Sequence, residues 1–130
     1  MTNGEIFETA VRLAGETTAS ESPDYTDRSE SLLAFIIRSL APLDREIRIA
    51  YGLDEPEDEL PDSADPQELF PLTDLLIPAA SFQLAALLTI DENASLSKEM
   101  CDRSEQEISN VRARLPMKPG PTRNVYPGIL

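Results

Sequence analysis

Apolar residues recur along most of this chain at three- and four-residue steps, the spacing that gathers side chains on one face of a helix. Ile6, Phe7, Ala10, Val11 and Ala14 form the first such run and predict a helix from a cap at Asn3 or Thr2 through about Ala14, closed by Gly15. A polar, Thr/Ser-rich link follows from Glu16 to Pro23. Ser22-Pro23-Asp24 then starts a helix from Tyr25 to Leu40, with Leu32, Leu33, Ile36, Ile37 and Leu40 as its stripe. Proline costs about 3 kcal/mol in a helix interior yet suits a first turn. Pro42 therefore predicts a break at Ala41 and a third helix to Tyr51, with Leu43, Ile47, Ala50 and Tyr51 on one face. Gly52 is placed to terminate it in the left-handed conformation.

The pattern stops at Leu53. From there to Glu68 the chain carries Asp54, Glu55, Glu57, Asp58, Glu59, Asp62, Asp65 and Glu68 among Pro56, Pro61 and Pro66, which predicts an extended, solvated loop. No Lys or Arg occurs between Arg48 and Lys98, so these carboxylates are left to water, a cation or a basic partner. Leu69 to Leu76 reads as a short helical turn. Pro78 opens a fourth helix to Ile90 that is apolar on nearly all sides, the mark of a helix buried centrally or shared with another subunit. Asp91-Glu92-Asn93 closes it. The last helix, Ala94 to Leu115, presents Leu96, Met100, Ser104, Ile108, Val111 and Leu115 as a narrow seam. Pro116 stops it, and residues 116–130 read as an extended, proline-rich arm ending in Val125, Tyr126, Ile129 and Leu130. The fold class is all-α: a small bundle of four to five helices, spanning residues 1–115, with a long acidic loop and an extended C-terminal arm.

Charge narrows the function. With 24 acidic and 11 basic residues the chain has a formal charge of −13 and repels a phosphate backbone over any unpatterned face. Histidine is absent, which removes the usual general base and the commonest transition-metal ligand. The single cysteine, Cys101, makes no intrachain disulfide, and the first residues lack the basic-then-apolar layout of a secretory leader, which points to a cytoplasm. The most apolar stretch, Ile77 to Ile90, falls short of the roughly 20 residues that span hydrocarbon.

No Ser-His or Cys-His pair, G-x-S-x-G element or phosphate-cradling glycine loop is present, so the chain reads as a non-enzyme without catalytic, metal or cofactor residues. Cys101 lies beside Asp102 and Glu99, which discourage a thiolate, and reads as a small buried hydrophobe. An EF-hand started at Asp58 would put Leu60 at a ligand position and Ser63 where glycine is required. The pairs Asp44/Glu46 and Glu105/Glu107 are two apart on helices, point in different directions and read as exposed surface. Arg103, Arg112 and Arg114 suit the negative end of the last helix, with a small basic patch towards Lys118 and Arg123 as an alternative. The acidic loop is either a solubilising charge run or a surface for a partner. The apolar tip Val125, Tyr126, Ile129 and Leu130 is either a free tail or a docking segment.

Several parts of the layout resemble the phage head-tail connector (adaptor, or head-completion) family. They are the short capped first helix, the Leu32 to Leu40 run with Pro42 behind it, the segment LFPLTDLLIPAASFQLAALLTIDEN from Leu69 to Asn93, and the amphipathic helix after it. The resemblance covers most of residues 3–115 and rests on helix lengths and apolar spacing. It implies a helical bundle that assembles as a ring between portal and tail, with DNA passing through the lumen without specific binding. It implies no enzymatic activity, a place in the host bacterial cytoplasm during assembly and in the virion afterwards, and no membrane. Loops and arms of such proteins contact neighbouring subunits, the portal and tail-side proteins. That assigns Asp54, Glu55, Glu57, Asp58, Glu59, Asp62 and Asp65 to a lumen-facing or partner-facing loop and the arm tip to contacts between copies. So acidic a loop departs from the family, and the rival reading is an acidic regulatory protein-binding module or DNA mimic.

Overall fold

A computed structural model describes residues 1–15, 23–55 and 59–116. The link at 16–22, Pro56 with the loop residues Glu57 and Asp58, and the arm from residue 117, including Val125, Tyr126, Ile129 and Leu130, lie outside the described residues. Four helices follow one another: α1 (Asn3–Leu13), α2 (Pro23–Tyr51), α3 (Ile77–Thr89) and α4 (Ala94–Arg114), with a 3-10 turn at Asp74–Leu76 leading into α3. Among the described residues the only β pairing is an isolated antiparallel bridge between Thr2 and Leu69. The predicted all-α bundle is the observed architecture.

Local chemistry sets the helix ends. Thr2 caps α1: its hydroxyl accepts the Glu5 N–H at 3.2 Å, and the Glu5 carboxylate accepts the Thr2 N–H at 3.0 Å. The other first-turn donors go to the acidic loop, Asn3 N–H to the Glu68 carbonyl at 2.9 Å and Gly4 N–H to the Pro66 carbonyl at 3.1 Å. A Cβ at Gly4 would stand 3.0 Å from that Pro66 oxygen, so glycine permits the close approach. At the end of α2, Gly52 takes φ +68°, and the N–H groups of Gly52 and Leu53 turn back to the Ile49 and Arg48 carbonyls, a Schellman closure. Asn93 caps α4 through the Leu96 N–H.

The break predicted at Ala41 is absent, and α2 runs as one helix of 29 residues through Pro42. Pro42 is exposed, as is Arg38 four residues before it, so the carbonyl that loses its helical donor lies on the water side. The opposite face stays in register, and Leu33, Ile36, Ile37, Leu40, Leu43 and Ile47 are all buried. Continuous burial along that stripe outweighs one missing hydrogen bond.

The apolar helix α3 is central, packed against α1, α2 and α4. Its wide apolar girth is therefore covered within one chain, with Ala79, Ala80, Leu84, Ala85, Ala86 and Leu88 buried. Its alanines admit close neighbours, and α4 exploits this: Ser97 donates to the Ala86 carbonyl at 2.7 Å and Ser104 to the Ala79 carbonyl at 3.0 Å. The seam predicted for α4 faces the core through Met100, Ser104 and Val111, joined by Ser97. Cys101 is exposed, contrary to the buried reading. It sits one position past Met100, about 100° around the helix, and register overrides its small apolar character.

Candidate interaction surface

The acidic loop is fastened at both ends to α2. Asp44, read from sequence as exposed, is buried, with 2% of its surface accessible. One of its oxygens accepts from Arg48 Nε at 2.8 Å and the other from the Thr73 N–H at 2.8 Å. Arg48 donates further to the Asp54 carbonyl at 2.7 Å and to the Pro71 carbonyl at 3.4 Å. One ion pair thus holds the chain where it enters the loop, at Asp54, and where it leaves, at Pro71 and Thr73. The sequence did carry a trace of this, an i,i+4 pair whose members each follow a residue of the buried stripe, Leu43 and Ile47. Spacing to Glu46 alone directs attention to the wrong partner.

Within the loop, Asp54, Glu55, Glu59, Asp62 and Asp65 are exposed, as the sequence leads one to expect. Their surroundings are less uniformly acidic than the local sequence implies. Arg38 of α2 pairs with Asp62 and also donates to the Pro61 carbonyl, and Arg45 reaches Glu55 at 4.0 Å. These pairs are solvated and each is worth at most about 1 kcal/mol. Asp65 orders its own surroundings, since its carboxylate accepts the Gln67 N–H at 2.8 Å and its carbonyl accepts from Asn3 Nδ2 at 3.0 Å. The loop is not wholly solvated either. Ala64 is buried and donates its N–H to the Glu30 carbonyl, and Phe70 and Leu72 enter the core. Among the described residues no group of three or more His, Cys, Asp or Glu side chains is arranged to hold a metal.

At the C-terminal end of α2, beyond Arg48, a shallow groove of about 190 Å³ opens between Tyr51, Leu75 and Pro78 on one side and Val111 and Arg114 of α4 on the other. Tyr51 Oη donates to the Arg114 carbonyl at 3.4 Å, tying the last turns of α2 and α4 together. Asp74 and Glu107 supply negative charge at the rim. Tyr51 and Leu75 leave 47% and 43% of their surfaces accessible. Elsewhere Phe35, Ile49, Leu69 and Ile90 are also exposed. The arginines near the end of α4 do not converge: Arg103 lies over the Phe82 ring at 5.9 Å, and Arg112 approaches Glu46 of α2 at 3.9 Å.

Two exposed groups show displaced acidities. Hydrogen bonds from the Thr2 backbone N–H and hydroxyl hold the Glu5 carboxyl below its ordinary value. The Asp102 carboxylate, 3.0 Å away, raises Lys98. Both report hydrogen bonding on helix surfaces.

Among the described residues no helix is long and apolar enough to cross a membrane. Comparison with protein-family models, with curated proteins and with solved structures finds no match to this chain.

Proposed function

We propose that the chain is a structural subunit of a head-tail connector ring, joining a portal to a tail and acting through contact rather than catalysis. The observation that carries this reading is a closed helical core that still leaves large apolar side chains, Phe35, Ile49, Tyr51, Leu75 and Ile90, in water. A core already complete within one chain has no folding use for them, and burying them against another surface would remove apolar area from water. The acidic loop, held by Asp44 and Arg48, supports the same reading: fixed carboxylates lining a passage keep DNA from adhering as it moves through. On this reading the partners are other copies, the portal and tail-side proteins. The places of action are the host bacterial cytoplasm during assembly and then the virion.

The exposed carboxylates Asp54, Glu55, Glu59 and Asp62 favour a second reading, an acidic module that captures a basic protein. Light scattering of the full chain, alone and with a portal protein, separates the two. A ring reading requires a discrete oligomer whose mass stays unchanged as salt rises, because apolar contacts are not screened. A monomer under both conditions, which captures a DNA-binding protein at low salt and releases it at high salt, would replace the ring with the acidic module.

A further inference from the structure

Outside the core, α2 carries a second apolar row. Phe35, Pro42 and Ile49 stand seven residues apart, a step that falls about 20° short of two full turns, so all three share the outer face. Phe35 and Ile49 leave 62% and 56% of their surfaces in water. The charges beside this row nearly balance. Between Phe35 and Ile49, the row is flanked on α2 by Arg38, Arg45 and Glu46, while Asp44 and Arg48 are engaged in the clamp. Asp62 and Glu55 of the loop and Arg112 of α4 pair with the three flanking groups, and Glu59 borders the cavity beside Arg45. The other exposed large apolar side chains among the described residues stand where acids are in excess. Leu53, Leu69, Leu75 and Ile90 adjoin Asp54, Glu68, Asp74 and Asp91 in sequence. Tyr51 shares its groove with Asp74, Glu107 and Arg114, and Met1 borders a cavity with Glu5, Glu8 and Arg12. Two copies of a chain with a formal charge of −13 repel one another, and the outer row of α2 is where apolar surfaces meet at least electrostatic cost.

The row is also self-complementary. Phe35 and Ile49 are each seven residues from Pro42, and Arg38 and Glu46 are each four. Turning a second α2 end over end about Pro42 therefore lays Phe35 against Ile49 of the second copy and brings Arg38 level with Glu46 of that copy, each contact occurring twice by symmetry. Arg45 of the second copy falls on the Arg38 side, where Pro42 has left the Arg38 carbonyl without its helical donor, and a guanidinium N–H there supplies one. The arginines that meet on this side keep their own counterions, Asp62 and Glu55. We infer that the outer face of α2 is a two-fold interface: the Phe35–Pro42–Ile49 row of one copy packs antiparallel on the same row of a second copy, with Arg38 and Glu46 paired across it. The row is about 21 Å long, so the contact belongs to the small, transient class and the dimer forms in a concentration-dependent way. An isologous pair of this kind closes on itself, unlike the head-to-tail contacts that build a ring, and it goes beyond the ring reading without resting on it.

A residue on a two-fold axis meets itself, which gives the test. In full-length chains carrying Cys101→Ser, Pro42→Cys should oxidise to a linked homodimer in at least about tenfold greater yield than Asp91→Cys, a surface control. Phe35→Cys alone should stay unlinked, whereas a mixture of Phe35→Cys and Ile49→Cys chains should link. All these positions are exposed, and unchanged helical circular dichroism verifies that each variant is folded. A Pro42→Cys yield equal to the control overturns the pairing, and so does self-linking of Phe35→Cys as readily as of Pro42→Cys. Sedimentation equilibrium tests the charges: Arg38→Glu and Glu46→Arg should each weaken the dimer at least about tenfold, and an equal mixture of the two should restore it, because only the mixed pair sets opposite charges across the row. Failure of the mixture to recover overturns the proposed register. The ring is judged separately. A larger closed oligomer that persists in the Phe35→Glu chain keeps the ring and sinks the pairing. A dimer that is lost in Phe35→Glu, and that never grows when a portal protein is added to the parent, keeps the pairing and sinks the ring.

Discussion

The α3–α4 core and the acidic loop are held by opposite means. In the core, stability is spread over many apolar contacts around α3, supplemented by two serine hydroxyls that bond to its backbone. In the loop, a handful of polar links does the holding, and four of them meet at Asp44 and Arg48. Distributed contacts fail gradually when one member is removed. Concentrated ones fail together, because each partner also screens the burial of the other. A long acidic segment can therefore be well placed with little core of its own, provided that one ion pair is intact.

Removing the centre of the clamp should break this contrast most severely. Arg48→Leu leaves the Asp44 carboxylate buried without its cation, and a loss of about 3–5 kcal/mol is expected by denaturant unfolding. Loop amides around Thr73 should lose hydrogen-exchange protection well before those of α3. The double variant Asp44→Leu/Arg48→Leu should recover part of the global stability and none of the loop protection. Recovery of both would show that the loop has another anchor. Next in size, Leu84→Ala at a fully buried site of α3 should cost about 2–5 kcal/mol through lost burial and a residual cavity. Here protection should fall throughout the bundle with no selective opening of the loop. Selective opening after Leu84→Ala would mean that the two regions are one cooperative unit.

The smallest effect sharpens the comparison at the seam between the regions. The Glu5 carboxyl is held below its ordinary value of 4.5, so its ionised form is favoured in the folded chain. That contribution is complete above the unfolded value and fades as pH falls through the lower folded one. Glu5→Gln should therefore be slightly less stable than the parent at neutral pH, and the difference should shrink below pH 4.5 in unfolding titrations. A difference that grows on acidification would show that the cap does not depend on the charge.

Much of the bundle was legible in the chain because helices declare themselves through spacing. The stripes of α1, α2 and α4 and the apolar girth of α3 all reappear as buried faces. Misreadings arose where residue type and helical register disagreed. Pro42 argues for a break by its own chemistry, but it lies on the outer face of a stripe that continues beneath it. Cys101 has the character of a core residue and the wrong angle for one. Asp44 has the character of a surface residue and the angle of a core one, and its acceptors are met by Arg48 and the Thr73 N–H from a distant segment. No spacing rule within a helix reveals a backbone donor 29 residues away. The exposure of the described loop carboxylates followed from composition, whereas their arginine neighbours on α2 required the fold.

The stitching of the start of α1 to residues 65–70 also sets an order of events. An isolated helix of 11 residues is marginal in water. Two of its first-turn donors are met by the carbonyls of Pro66 and Glu68, and its buried face leans on α3. During synthesis, the α1 segment lacks these supports until the chain has grown past Thr89. Its neighbours in sequence emerge early, but its neighbours in space come late. The first of the four helices to be translated is thus among the last to become fixed, and a nascent chain halted before α3 should leave it open to chaperones and proteases.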